Sequence, residues 1–106
     1  MIANTPKPPY YAVIFSSMRT EIDDNYAEVA DKMVELAKLQ DGFLGIESAR
    51  SGLGITVSYW SDLESIKKWK ENADHSFARD KGRKEWYSSF KTRIAKVERD
   101  YGFEKG

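Results

Sequence analysis

The spacing of apolar residues divides the first half of the chain into a strand and a helix. Residues 10–18 are rich in β-forming side chains and follow a proline-rich lead-in, residues 1–9, which we expect to be extended and outside the fold. From Asp24 the apolar residues recur at helical spacing as far as the pair Asp41-Gly42. This half is therefore predicted to run from a first strand into one amphipathic helix.

The second half predicts a hairpin, a helical region and a last strand. Residues 43–49 and 55–60 are two short β-rich runs, joined by a turn in which glycines supply backbone conformations that other residues avoid. Ser61 opens a capping-box sequence that starts a second helix. Asp74 is placed to cap a further short helix, and residues 90–101 are predicted to form the last strand.

The order β-α-β-β-α-β is typical of the ferredoxin-like α+β fold, a split βαβ arrangement with one antiparallel sheet and both helices on one face. Alternate residues of a strand point to opposite faces, so the first strand also presents apolar side chains where no helix lies. This uncovered set is either Tyr11, Val13 and Phe15 or Tyr10, Ala12 and Ile14. We therefore predict a homodimer that covers it, with a tolerated apolar surface as the alternative.

Length and composition fit one domain at residues 10–103, followed by a tail at 104–106. The 17 basic and 17 acidic side chains balance, so nothing concentrates nucleic acid or an anionic membrane at the surface. No apolar run is long enough to enter a membrane. A chain without cysteine fits a reducing compartment, and the cytoplasm is the expected location.

The inventory of reactive side chains is short. His75 is the single histidine and cysteine is absent, which excludes closed zinc sites within one chain, whereas a haem needs only one axial ligand. No hydrolase elbow, dinucleotide loop or Walker sequence occurs. RNA-recognition domains share the element order, but their stacking positions would here carry Leu53, Ile55 and Ser58, which have no aromatic face. Binding of RNA is therefore not expected.

Aromatic residues recur at characteristic places in the second half of the chain. A predicted strand ends in Trp60, the next helix carries Trp69, and His75 follows. The pattern continues with Gly82-Arg83, Trp86-Tyr87 and the closing run 97–101. Together these features resemble the antibiotic biosynthesis monooxygenase (ABM) family over residues 10–103. The resemblance implies a dimeric α/β barrel, in which two ferredoxin-like sheets pack face to face and each subunit has a cavity between sheet and helices.

The resemblance also implies an activity, because some ABM members oxygenate aromatic substrates with O₂ and need neither metal nor flavin. We expect a monooxygenase without a cofactor, acting on a small aromatic or quinol-type substrate that it binds, desolvates and deprotonates. The candidate catalytic residues are His75 as base, with Trp69 and Trp60 as cavity walls. The candidate substrate-binding residues are Tyr59, Arg50, Phe15 and Phe77, and Tyr59 or Arg50 would stabilise an oxyanion.

Two alternatives stay open. Other ABM members cleave haem with a histidine, a tryptophan and a first-strand asparagine; Trp69 matches, His75 follows it by six residues, closer than in those enzymes, and Ser16 or Ser17 stands where the asparagine is expected. A haem-binding relative is therefore one alternative. The other is a dimer that binds a small molecule without catalysis, in which Trp69 is simply part of the core.

Overall fold

Backbone hydrogen bonding gives the architecture of the computed structural model, which describes residues 1–23, 25–76 and 85–106 apart from the side chains of 74–76. The elements are β1 (Tyr10–Arg19), α1 (Tyr26–Lys38), β2 (Phe43–Ser51), β3 (Leu53–Trp60), α2 (Leu63–Ser76) and β4 (Tyr87–Val97). This order confirms the predicted ferredoxin-like fold. Neither helix is long and apolar enough to cross a membrane within the part of the chain that is described.

The four strands form one antiparallel sheet in the order β2-β3-β1-β4. The central strand β1 pairs with β3 on one side and with β4 on the other. At one end of β1, Tyr11 lies opposite Trp60, and at the other end Ser17 lies between Gly54 and Phe90. Tyr11 and Ser17 are thus about 20 Å apart, since each strand residue advances about 3.3 Å.

The start of α2 differs from the predicted capping box. Asp62 is the capping residue, because its Oδ1 accepts a hydrogen bond of 2.7 Å from the backbone N–H of Ser65. This backbone hydrogen bond lowers the pKa of Asp62. The Ser61 hydroxyl instead donates to the Asp62 carboxylate. The helix then continues past Asp74, so the prediction that Asp74 begins a separate helix is wrong; the rest of that predicted helix lies outside the described residues.

The hairpin between β2 and β3 is tighter than predicted. Ser51 pairs with Leu53, so Gly52 alone forms the connection, with a φ of 83° that other residues rarely adopt. The last strand is also displaced towards the N-terminus, since it begins at Tyr87 and ends at Val97. It ends there because Val97 pairs with Tyr10, the first residue of β1, and no further β1 residue is available.

The buried core lies where both helices meet the end of the sheet that carries Trp60. Trp60, Ala37 of α1 and Ile66 of α2 form its centre, and Trp60 is 0% exposed. Gly42 lets α2 approach closely, because a Cβ at this position would lie 2.2 Å from the Ser65 Oγ. Leu63, in contrast, is exposed although it lies three residues before Ile66 on the same helix. The buried face of α2 is therefore narrower than the spacing of its apolar residues predicts.

Strand register decides which residues of β1 face the helices. Tyr11 and Val13 pack against the core, so Phe15 and Ser17, at the same alternation, share this side. We call this surface of the sheet the helix-side face. The opposite surface, the open face, carries the alternate set Tyr10, Ala12 and Ile14.

The N-terminal lead-in lies against the open face rather than apart from the fold. The backbone N–H of Ala3 donates to the Glu47 Oε1 at 2.8 Å, and the Thr5 hydroxyl donates to the Tyr10 hydroxyl at 2.9 Å. A Cβ at Gly45 would approach the Ala3 Cβ to 3.1 Å. Three separate contacts thus hold this segment over one end of the open face.

Candidate functional site

Two of the predicted site residues, Trp60 and Trp69, are brought together. Their rings are stacked with centroids 6.0 Å apart and an interplanar angle of 23°. The Trp60 Nε1 donates a hydrogen bond of 2.9 Å to the Ser58 Oγ, and Phe43 meets the Trp60 ring edge-on. Because Trp60 is fully enclosed, any ligand contact from this pair must come through the partly exposed Trp69.

Arg50 occupies the opposite end of the helix-side face. Its Nη1 donates to the backbone oxygens of Ser17, at 3.2 Å, and of Gly52, at 3.4 Å, and its Nη2 donates to the Ser17 Oγ at 2.5 Å. A Cβ at Gly54 would lie 2.2 to 2.6 Å from three guanidinium atoms, so the guanidinium plane lies flat against this glycine. Ser17 and Gly54 together therefore fix the position of the positive charge.

Three aromatic rings lie on the same face, and one of them is cross-strand from Ser17, which binds this charge. Phe15, Tyr87 and Phe90, here called the aromatic triad, are in mutual contact, with centroid distances of 5.5, 5.4 and 5.9 Å. Phe90 is the cross-strand neighbour of Ser17, which binds Arg50, and it is 43% exposed. Of the four predicted substrate-binding residues, Phe15 and Arg50 are thus brought to the same region.

Tyr87 links the aromatic triad to α1. Its hydroxyl donates to the Tyr26 hydroxyl at 3.2 Å, and Tyr26 is in turn covered by the Arg19 guanidinium, 3.4 Å from the ring centroid. Burial is the main reason that the pKa of Tyr87 is raised, and the hydrogen bond to Tyr26 adds to it, while the charge of Arg50 acts in the opposite direction. Tyr87 is therefore a neutral phenol over the physiological range.

An open groove of about 550 Å³ begins at Arg50 and follows the end of β1. Arg19 also lines it, but its guanidinium forms an ion pair with Asp23 at 3.3 Å and donates to the Ile22 carbonyl oxygen. Glu21 lines the same groove. For Arg50, the described part of the chain places no carboxylate within 4.0 Å of the guanidinium.

Tyr59 is on the open face, away from the other predicted site residues. Its hydroxyl donates to the Glu47 Oε2 at 3.1 Å, and its ring meets that of Tyr10 edge-on at 5.7 Å. Burial and the Glu47 carboxylate raise the pKa of Tyr59 to about 12. The Tyr10 hydroxyl donates to the Asp100 Oδ2 at 2.5 Å, which raises the pKa of Tyr10 as well. Tyr59 belongs to a phenol–carboxylate cluster and not to the helix-side face.

Two predicted site residues, His75 and Phe77, lie at or beyond the end of the described part of α2. His75 is on the last turn of α2, but its side chain lies outside the described residues, as does all of Phe77. Two residues missed as candidates are Ser17 and Tyr87. Alternation of side chains along a strand that begins at Tyr87 would place this residue on the helix-side face. The contact of Ser17 with Arg50 depends on strand pairing, which no local pattern reveals.

The haem alternative depends on His75, whose side chain lies outside the described residues. Ser17, in the region where haem-cleaving members carry an asparagine, accepts a hydrogen bond from Arg50. No histidine side chain is among those described, and within the same set no group of three acidic, histidine or cysteine residues could hold a metal ion. We derive no reaction step through either group.

The element order and the single antiparallel sheet define a ferredoxin-like domain. The family model for antibiotic biosynthesis monooxygenase matches residues 9–81, and the chain belongs to this family. A solved protein of Nitrosomonas europaea that bears the family name superposes with a TM-score of 0.68 at 15% identity, covering 89% of this chain and 94% of the other. At that identity the likeness extends to the fold alone.

Two relatives are similar in sequence. YqjZ of Bacillus subtilis (strain 168), an uncharacterized protein, is 50% identical over 106 residues, which cover 98% of this chain and 93% of YqjZ. Jasmonate monooxygenase ABM of Pyricularia oryzae (strain 70-15) is 32% identical over 95 residues, 82% of this chain but only 43% of that protein. The relative that is named for a reaction is thus the more distant one and more than twice as long as the matched region.

Proposed function

We propose that this protein is a monooxygenase of the ABM type that uses O₂ without a metal or an organic cofactor to oxidise a small aromatic or quinol-type substrate. The observation that carries the proposal is the aromatic triad, whose exposed member Phe90 lies beside Arg50 on the helix-side face. Membership of the family and the monooxygenase named among its relatives support it.

The protein's part in such a reaction is to bind and ionise the substrate. An ionised phenol or enol is electron-rich enough to pass an electron to O₂, and oxidation of a ring methylene to a carbonyl then consumes one O₂ and releases one water. Phe15 and Phe90 supply an apolar wall that excludes water from the substrate ring. His75 is the proposed base, since imidazole accepts a proton near neutral pH.

We propose that the active unit is a homodimer formed through the open face. Leu53 and Ile55 are 50% and 40% exposed there, and both lie on β3 close to the turn at Gly52. The lead-in covers the other end of this face, so the remainder, which is apolar on β3 and carries Lys91 and Arg93 on β4, is the surface available to a second copy. The dimer would leave the helix-side site of each subunit accessible.

A non-catalytic binding dimer is the second candidate. It is favoured by the enclosure of Trp60 and by the chemistry of the described helix-side residues, among which Tyr87 has a raised pKa and cannot serve as a base near neutrality. Such a protein would bind the same aromatic ligand and leave it unchanged. The two candidates therefore differ in oxygen consumption and not in affinity.

Oxygen uptake by metal-free protein distinguishes them. With 1,8-dihydroxyanthrone or a substituted hydroquinone as substrate, we expect uptake above the spontaneous rate, with kcat/KM reduced about a hundredfold in His75→Ala, the usual loss for a general base. Tyr101→Phe, at an exposed position beyond β4, is the matched control and should leave the rate unchanged. Uptake no faster than the spontaneous reaction with every substrate would contradict the monooxygenase proposal and favour the binding dimer.

A further inference from the structure

We propose that the helix-side site binds an aromatic carboxylate, with the carboxylate on Arg50 and the ring on the aromatic triad. The inference rests on the proposed function in one respect, that this ligand is the substrate; binding itself does not require turnover. It specifies a permanent anionic group on the ligand, beyond the aromatic or quinol-type ring.

Among the described residues, only neutral groups orient the guanidinium of Arg50. Arginine has five N–H donors, and the three hydrogen bonds seen within this set all go to the Ser17 and Gly52 oxygens. Those acceptors hold the plane in place without cancelling its charge. Arg19, in the same groove, is instead neutralised by Asp23. Over the described residues, Arg50 is thus a fixed cation that lacks a carboxylate partner, and a planar guanidinium matches a carboxylate through paired hydrogen bonds.

The Arg50 guanidinium occupies the space that a side chain at Gly54 would fill. Any side chain at this position would collide with the guanidinium, since a Cβ would lie 2.2 Å from the Cζ and Nη2 atoms of Arg50. The flat contact holds one face of the guanidinium against β3 and leaves the other face turned away from the sheet. The guanidinium is therefore held in a fixed position on the surface of the sheet.

The location of Arg50 favours a permanent anion over one that forms during the reaction. Arg50 is exposed and about 20 Å along the sheet from Trp60, so water screens its charge. A screened charge interacts weakly with the partial charge that develops in a transition state, and more strongly with the full charge of a carboxylate that accepts paired hydrogen bonds. Phe90, which is cross-strand from Ser17, places an exposed apolar ring beside the cation. This pairing of ring and charge matches an aromatic acid.

The test compares 2-naphthoate with 2-naphthamide, which has the same ring system and no charge. With the full-length wild-type protein, titration calorimetry should give a dissociation constant at least tenfold lower for 2-naphthoate. Arg50→Gln should remove this preference, and Gly54→Ala, which displaces the guanidinium, should reduce it. Arg99→Gln removes an exposed arginine beyond β4 and is the matched control, with the preference retained.

Two results would overturn the inference. One is equal affinity of the wild-type protein for the acid and the amide, a comparison that needs no variant and so cannot be confused with misfolding. The other is an equal loss of preference in Arg50→Gln and Arg99→Gln. Preferential binding of 2-naphthoate by a protein that oxidises no anthrone or hydroquinone would contradict the proposed function and leave this inference standing.

Discussion

The two faces of the sheet share the same four strands, yet they differ in what covers them. The helix-side face is packed at one end around Trp60 and carries Arg50 with the aromatic triad at the other. The open face carries phenols paired with carboxylates at one end and exposed Leu53 and Ile55 at the other. Each face thus has a closed end and an unfilled end, and the unfilled ends are where a ligand and a second copy are proposed to bind.

The largest effect is expected from Trp60→Ala, at the closed end of the helix-side face. Removing a fully buried tryptophan leaves a cavity and an unpartnered Ser58 hydroxyl, so the free energy of unfolding should fall by about 3–5 kcal/mol. Urea denaturation measures this loss. Leu39→Ala, at a position that is 80% exposed, is the control and should change stability by less than about 0.5 kcal/mol. A loss below about 1 kcal/mol for Trp60→Ala would contradict the assigned core.

The next effect concerns the unfilled end of the open face. Ile55→Glu would place a carboxylate in the proposed dimer interface, where an unpaired charge is costly, and should raise the dimer dissociation constant at least about a hundredfold. Light scattering over a concentration series measures it. Leu63→Glu introduces the same charge at the exposed first turn of α2, where an acid is tolerated, and should leave the dimer intact. Equal behaviour of the two variants would argue against an interface on the open face.

A smaller effect separates close packing from backbone strain at two glycines. Gly42 and Gly52 have nearly the same φ, 84° and 83°, but only at Gly42 would an added Cβ meet α2. Gly52→Ala should therefore cost about 1 kcal/mol of stability, from the left-handed backbone alone. Gly42→Ala should cost about 2–3 kcal/mol, because the Ser65 side chain must also move. Thermal unfolding compares them, and equal losses would show that α2 does not rest on Gly42.

The smallest effect is the titration of Tyr59. Its pKa is about 12 when folded and about 10 when unfolded, so the phenol stabilises the fold fully below pH 10 and this contribution is lost as pH rises towards 12. An ultraviolet titration of Tyr59→Phe should lack one phenol that ionises late. Glu47→Gln should shift that step downwards only in part, because burial is the larger cause. If the phenol lost in Tyr59→Phe is one that ionises near pH 10, the cluster is misassigned.

Periodicity was sufficient to predict the fold. The strands follow from runs of β-forming residues and the helices from helical spacing or a capping sequence, and the family resemblance agrees with the observed order. The observed ends of elements differ from the predicted ones where a single residue decides them. Asp62 caps α2, and Gly52 alone forms the turn between β2 and β3. Tyr10 and Tyr11 are both tyrosines, so the sequence does not decide which of them lies on the open face. The strand register decides it.

The candidate site was less predictable, because its parts come together only through pairing of distant strands. Trp60 and Trp69 are prominent in the sequence, and the structure stacks them in and beside the core. Tyr59 is adjacent to Trp60 in the chain and therefore points to the opposite face. The contact of Arg50 with Ser17 joins β2 to β1 across 33 residues, and no local pattern indicates it.

A crystal structure of the protein grown with 2-naphthoate tests the division between the two faces most directly. The account predicts the carboxylate on Arg50, the ring against Phe90, and a second copy packed on the open face over Leu53 and Ile55. A naphthoate bound on the open face, or an open face left in solvent while the helix-side face pairs with a second copy, would contradict it.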